Sequence, residues 1–282
     1  MTISLEMVSV QHTGATIPAL FEVTLRIEKG EQVALIGPSG AGKTTLLHTL
    51  ALAKRPSHGT LRAFDTLPWE ASNTRRHALR AQLFLAPQTP PLPPRQRVIS
   101  AVLAGRLPYW GLWRALVSLI RPSETQRAFD ALSRFSLEHK LYARVDRLSG
   151  GERQRCGMAR LLVSDANLLL VDEPLSALDP TLALQTLNVI REEARSRDAT
   201  LICSLHQVEL ARAHFARLIG LRDGRIVFDA PSAAVSESMI AELYRHADRH
   251  SIEPGPGSAQ GPAVEPIVGA ALEHPVVVAP RC

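Results

Sequence analysis

Gly37-Pro38-Ser39-Gly40-Ala41-Gly42-Lys43-Thr44-Thr45 follows the apolar run Val33-Ala34-Leu35-Ile36 and leads into Leu46-Leu47-His48-Thr49-Leu50. The order is strand, glycine-rich turn and helix, with the G-x-x-x-x-G-K-[ST] spacing. Backbone N–H groups in such a turn point inward and, with the positive end of the helix that follows, cradle phosphate oxygens. Lys43 then reaches the β- and γ-phosphates, and the Thr44 hydroxyl takes a Mg²⁺ coordination position. Thr45 adds a hydroxyl for the α-phosphate. A chance glycine-rich turn is the weaker alternative, because the correct strand and helix flank it. The stretch predicts binding of a nucleoside triphosphate.

A second motif has matching chemistry. Leu168-Leu169-Leu170-Val171 is an apolar strand that ends in Asp172 and Glu173. Asp172 is placed to hold Mg²⁺, directly or through water, and Glu173 faces the γ-phosphate one residue further on. Phosphoryl transfer to water needs mainly positioning and charge neutralisation, and a carboxylate at that point orients or deprotonates the water. A solvated strand end is the bland reading of the same residues.

Length and composition set the frame. A chain of 282 residues allows one large domain or two small ones, with a sizeable core. Cys156, Cys203 and Cys282 are far apart and lack metal-ligand spacing, which fits a reducing cytosol without disulfides. The opening Met1–Glu6 has no basic or apolar leader region, so no signal peptide is expected. The most apolar segment, Trp110 to Ile120, is shorter than the roughly 20 residues of a membrane span and carries Arg114. Net charge is +5, with arginines at 75, 76 and 80 and again at 95, 97 and 106. Nucleic acid, an anionic membrane face and an acidic partner are possible uses. With no aromatics interleaved to stack bases, a solvated basic surface is favoured and no nucleic acid is expected.

Along the chain, Ile3, Leu5 and Met7 alternate with polar residues, as do Phe21, Val23, Leu25 and Ile27. Both read as half-buried strands. With Val33–Ile36 they are expected to form a small antiparallel layer beside the phosphate turn. Pro56-Ser57-His58-Gly59 reads as a turn and Gln82–Ala86 as a short strand. From Ile99 to about Leu148 the pattern is helical, an insert into an α/β domain. The α/β alternation then resumes, with helix 152–163, strand 168–171, helix 181–194, strand 201–203, helix 207–215 and strand 218–221. Asp223-Gly224 signals a hairpin into Ile226–Phe228, and Met239 and Leu243 share a face of a last helix. This rhythm argues for a parallel sheet covered on both faces. From about His250 the chain is rich in Pro, Gly and Ala and is read as disordered. The expected domain is 1–248, with a helical subdomain at about 89–150 and a tail at 249–282.

Leu148-Ser149-Gly150-Gly151-Glu152-Arg153-Gln154 is a further element. Ser149 and the glycines open a helix and so make a second anion site, a weak signal alone. Lying between the helical insert and the carboxylate strand, it resembles the signature motif of the ABC-transporter ATPases. The resemblance runs from about Ile3 to Tyr244 with every motif in order, and implies an ABC-type P-loop NTPase core carrying a small antiparallel β layer and an inserted all-helical subdomain. It makes Gln88 the glutamine that senses the γ-phosphate and Mg²⁺, and His206 the switch histidine at the γ-phosphate. Ser176-Ala177-Leu178-Asp179 resembles the loop that crosses to the opposite subunit, although Asp179-Pro180 is also a good N-cap and first-turn proline. His12 occupies the position where the family has an aromatic stacked on adenine, and histidine offers less π area there. Around Gln88 the family often has bulky aromatics, where this chain has five prolines between Pro87 and Pro94. A stiffer switch is expected.

The same resemblance implies a head-to-tail homodimer, each ATP lying between Lys43 of one subunit and Ser149–Gly151 of the other. It implies separate membrane permease subunits docked near Gln88 and the insert, and a peripheral location on the cytoplasmic face of the inner membrane. The lack of a fused membrane domain favours an importer, which also needs a substrate-binding protein. Two further stretches resemble the phosphonate-importer branch. One is Val102–Leu107 with Tyr109, Trp113 and Arg114. The other is Ser204–Ala211, continuing to Ile219–Asp229. The cargo expected is a phosphonate or a related phosphorus oxyanion such as phosphite or phosphate. A soluble ABC-type ATPase acting on nucleic acid or ribosomes, an importer ATPase for another substrate, and a binding module without turnover are the alternatives. Intact Glu173 and His206 argue against the last.

Overall fold

Alternating and continuous apolar runs part company at the start of the chain, across β1 (Ile3–Val10), β2 (Leu20–Ile27) and β3 (Gln32–Ile36). The computed structural model describes residues 3–120 and 123–245. β1 and β2 pair antiparallel, with Leu5 opposite Leu25 and Val8 opposite Val23. β3 leaves them. Its Val33–Ile36 side chains are all buried, and it lies inside the second sheet, parallel to its neighbours. The expectation that β3 joins the antiparallel layer is therefore corrected. An uninterrupted apolar strand needs both faces covered, which a parallel sheet flanked by helices provides.

β3 is followed by α1 (Lys43–Leu50), β4 (His58–Ala63), α2 (Asn73–Ala81) and β5 (Leu83–Ala86). β4 takes the place vacated by β3, giving a three-stranded layer in the order β2-β1-β4. Pro56–Gly59 was expected to be a turn, yet His58 and Gly59 already belong to the strand, where Leu61 and Ala63 point into the core. α2 begins at Ser72, whose hydroxyl accepts from Arg75 N. It buries only Leu79, so its apolar signal is thin.

The helical insert comprises α3 (Val98–Leu103), α4 (Leu112–Ile120) and α5 (Thr125–Ser133), with short 3₁₀ turns between and after them. The α/β rhythm returns with α6 (Gly150–Leu162), β6 (Leu168–Asp172), α7 (Pro180–Ser196), β7 (Thr200–Ser204), α8 (Val208–His214), β8 (Arg217–Arg222), β9 (Arg225–Pro231) and α9 (Glu237–Tyr244). The second sheet runs β5-β6-β7-β3-β8-β9, parallel except for the β8–β9 hairpin. The described residues lie in one compact unit, Met1–Ala247. The second unit, Asp248–Cys282, and with it the expected tail, lies outside the described residues.

Three of the clustered arginines, Arg76, Arg80 and Arg106, are engaged within the fold. Arg76 donates to Pro68 O at 3.0 Å and stacks over Trp69, and Arg80 holds Leu52 O through two nitrogens. Arg106 pairs with Glu124 and Asp165, and Arg127 and Arg114 extend that network across the insert. The two described cysteines are free and buried; burial pushes the Cys156 thiol up to about 12 and the Cys203 thiol up as well. No described helix is long and apolar enough to cross a membrane.

Candidate functional site

β3 delivers the chain to the glycine-rich turn at the edge where the parallel strands end. Gly37 has φ +152°, and a Cβ there would lie 2.0 Å from Leu221 O on β8. Gly42 has φ +102°, and its Cβ would lie 2.6 Å from Ala19 O. Both positions demand glycine, since backbone oxygens cannot move aside. Gly224 N, in the β8–β9 turn, donates to Ala41 O at 3.1 Å and fixes the turn from outside.

α1 then starts without help from a side chain. Gly42 is its N-cap, no side chain caps the first turn, and that turn holds no acidic residue. A helix N-terminus carries about half a positive charge on its unpaired N–H groups. Here that pole is left for an anion. Lys43 reinforces it from inside: only 5% exposed, it donates to Gly37 O at 2.8 Å and Pro38 O at 3.1 Å. Burial pulls its ammonium below the ordinary value of 10.5, and the charges of Glu173 and Asp172 oppose that shift.

The carboxylates stand at the end of β6, next to β3's turn. Asp172 is 1% exposed and accepts from Ser204 Oγ at 2.6 Å. The same Ser204 oxygen accepts from Glu173 N at 2.9 Å. Sheet register explains the clamp, because Asp172 of β6 lies opposite Ser204 of β7. Glu173 has φ +46°, a left-handed conformation that a non-glycine residue holds only under outside constraint. Its carboxylate gathers three of the expected residues. Gln88 Nε2 donates to Oε2 at 2.7 Å, His206 Nε2 lies 2.6 Å from Oε1, and Lys43 Nζ lies 3.9 Å from Oε1.

One pocket is lined by His12, Ala19, Ser39, Gly40, Ala41, Gly42, Lys43, Thr44, Thr45, Gln88, Glu173 and His206. His12 Nε2 lies 3.3 Å from Thr45 Oγ1. Gly37 and Pro38 shape the turn behind it. Two hard oxygens that suit Mg²⁺, the Thr44 hydroxyl and the Gln88 amide oxygen, line the pocket, while the third expected one, the Asp172 carboxylate, is buried at the end of β6 and is not among the lining residues. Among the described residues no group of three or more His, Cys, Asp or Glu could hold a metal alone. An ion at this site would therefore take phosphate oxygens or water as its remaining ligands.

Ser149, Gly150, Gly151 and Asp179 do not line that pocket. Ser149 caps α6, accepting from Glu152 N at 3.2 Å while Glu152 Oε2 accepts from Ser149 N at 2.8 Å. The Ser149 backbone bond, aided by Lys140, holds the Glu152 carboxyl below the ordinary 4.5 against burial. Asp179 caps α7, with Oδ1 accepting from Thr181 N and Leu182 N, both at 3.1 Å. Gly151 packs against the Ala177–Leu178 turn, so the two loops adjoin. Gly150 and Gln88 share a neighbouring groove. Two contributors were missed in the sequence: Ser204, and Lys54, whose Nζ lies 2.5 Å from His12 Nδ1. A serine ending an apolar strand two residues before His206 was the available signal for the first.

Comparison with known proteins agrees with this geometry. The family model described as ABC transporter matches residues 20–176. The phosphonates import ATP-binding protein PhnC 2 of Albidiferax ferrireducens is 55% identical over 247 residues, 86% of this chain and 89% of that relative. The phosphonates import ATP-binding protein PhnC of Pseudomonas fluorescens is 46% identical over 282 residues, covering 100% of both chains. Among solved structures, a dimeric ATP-binding cassette in a post-hydrolysis state bound to ADP and Pi has a TM-score of 0.72 at 25% identity, over 82% of this chain and 98% of that one. The chain belongs to the ABC transporter family, as one of its ATP-binding, ATP-hydrolysing subunits.

Proposed function

We propose that this subunit drives uptake of a phosphonate, or of a related phosphorus oxyanion such as phosphite or phosphate. In this reading it works as a head-to-tail homodimer bound peripherally to permease subunits at the cytoplasmic face of the membrane. The observation that carries the ATPase part is the convergence of Gln88, His206 and Lys43 on the Glu173 carboxylate beside an uncapped helix N-terminus.

The residues divide the work by chemistry. Gly37, Pro38, Ser39, Gly40, Ala41 and Gly42 present backbone N–H groups to the phosphates, and Lys43 neutralises charge at the β and γ positions. Thr45 donates to the α-phosphate, and the His12 ring faces the base. Glu173, aimed by its own backbone and by Gln88 and His206, orients and deprotonates the attacking water. The His206 nitrogen at its other oxygen can hold the γ-phosphate in line. Thr44, Asp172 and Gln88 would hold Mg²⁺, whose contribution is neutralisation of charge on the transferred phosphoryl group.

Ser149, Gly150, Gly151 and Asp179 stand outside their own chain's pocket. In a head-to-tail pair the partner's copies close over the triphosphate from the opposite side. Binding favours the closed pair and hydrolysis releases it, the switch that a membrane partner reads. The permease meets the subunit near Gln88 and the insert, where Leu112, Trp113, Leu116 and Val117 of α4 are exposed. A substrate-binding protein outside the membrane selects the cargo, and no nucleic acid takes part.

The cargo assignment rests on the names of the relatives and on Val102–Leu107, Tyr109, Trp113, Arg114, Ser204–Ala211 and Ile219–Asp229. None of these residues is placed to touch cargo. The test is growth and uptake by a deletion strain with a phosphonate as sole phosphorus source. Loss of both, restored by the wild-type chain and not by Glu173→Gln, is expected. Unimpaired growth with loss of an unrelated nutrient's uptake would sink the cargo and leave the ATPase standing.

A further inference from the structure

Lys54 lies in the turn just beyond α1, where its backbone N donates to His48 O at 3.2 Å. A lysine is favoured there by the negative end of the helix. The same turn is tied to the His12 loop, because Gln11 N donates to Ser57 Oγ at 3.1 Å and Ser57 N to Ser9 O at 2.8 Å. Lys54 is thereby brought behind His12, with Nζ 2.5 Å from Nδ1, while Nε2 on the far side of the ring lies 3.3 Å from Thr45 Oγ1.

The direction of these bonds follows from inventory. An ammonium group only donates, so Nδ1 must be the acceptor. A neutral imidazole has one N–H, which is then on Nε2. Thr45 Oγ1 receives it, and the hydroxyl's own proton is left free to donate elsewhere. Lys54, His12 and Thr45 form a one-way relay that ends on a hydroxyl donor inside the pocket.

We propose that Lys54 is a positioning residue of the nucleotide site, fixing His12 as the Nε2–H tautomer and so presenting Thr45 as a donor to a phosphate oxygen. This rests on the reading of the pocket as a nucleotide site. With both ring nitrogens occupied, His12 offers a base only its face. A stacked face reads no base edge, so ATP and GTP are held alike by this residue.

The test uses the full chain labelled with ¹⁵N. Imidazole nitrogen shifts, assigned by the signals lost in His12→Gln, report the tautomer, and ATP titration reports Kd. The wild type is expected as Nε2–H. Lys54→Met should release the tautomer and raise Kd by about three- to tenfold, the scale of one hydrogen bond, with kcat falling less. Lys54→Arg should restore both readouts. In a Thr45→Val background, Lys54→Met should change Kd by less than about twofold, because the relay's end is already gone. A wild-type Nδ1–H tautomer would overturn the proposal. So would an equal Kd effect in the Thr45→Val background, which would mean that Lys54 acts on the nucleotide itself. A wild-type chain that binds no ATP would overturn the nucleotide-site reading and the positioning role with it, and the titration alone tells that failure from the others.

Discussion

α1 and α6 both start at glycine-flanked turns, and their N-termini are completed in opposite ways. At α1 the cap is Gly42 in a left-handed conformation, with no side-chain cap and no acid in the first turn. At α6, Ser149 and Glu152 close a reciprocal capping box. Side chains of the chain itself satisfy one pole, while the other carries its positive charge into the pocket with Lys43 behind it. A glycine-rich helix start is therefore ambiguous by sequence. What separates a ligand cradle from a self-sufficient helix start is whether the chain supplies its own acceptor. α6's start belongs to fold stability before any partner arrives, and α1's start is stabilised by what binds there.

Breaking the α1 side should have the largest effect. In Gly37→Ala the new Cβ would meet Leu221 O at 2.0 Å, so the turn must open. ATP titration should show binding weakened by about tenfold or more, since misplacing the cradle costs over about 1.4 kcal/mol. Next comes the clamp opposite the cradle. Ser204→Ala leaves Asp172 Oδ1 and Glu173 N without their shared partner. A thermal-unfolding loss of about 1–3 kcal/mol is expected, together with a lower kcat as Glu173 loses its aim. On the α6 side, Ser149→Ala should lower stability by about 1 kcal/mol, the worth of a lost N-cap. The same substitution leaves ATP affinity of the isolated chain unchanged if Ser149 serves only its own helix and a partner's site.

A pH series gives the smallest effect and sharpens the contrast. The folded Glu152 carboxyl titrates below 4.5, through the Ser149 backbone bond first and Lys140 second. Its contribution to stability is present above 4.5 and is lost as pH falls through the lower folded value. Glu152→Gln should flatten the part of the acid unfolding curve that this group supplies. The start of α1 holds no acid and adds no such dependence.

Most of the core was legible because its patterns are strong. The run Val33–Ile36, the phosphate turn, and the strand ending in Asp172 and Glu173 each carry spacing that few other folds use. Two elements were not. β4 starts with His58 and Gly59, turn-formers whose strand character comes from pairing with β1. α2 buries a single leucine, so little periodicity marks it. The assignment of β3 to the wrong layer came from its closeness in sequence to β1 and β2, although its continuous apolar pattern already pointed to a parallel sheet. In the site, Lys43, Gln88, Glu173 and His206 were read from motifs, but their meeting at one carboxylate was not. Ser204 and Lys54 act through sheet register and a turn-to-loop contact; the serine leaves only its place at the end of an apolar strand before His206 as a signal, and Lys54 leaves none.

In the proposed mechanism Glu173 is the group through which this pocket acts on water. This role is tested most directly by steady-state ATPase rate and ATP affinity measured on the same samples of wild type and Glu173→Gln. The amide keeps the shape, replaces one accepting oxygen with a donor and removes the base, so the rate should fall by about two orders of magnitude or more, with ATP still bound. A Glu173→Gln chain that hydrolyses ATP at the wild-type rate would contradict that role.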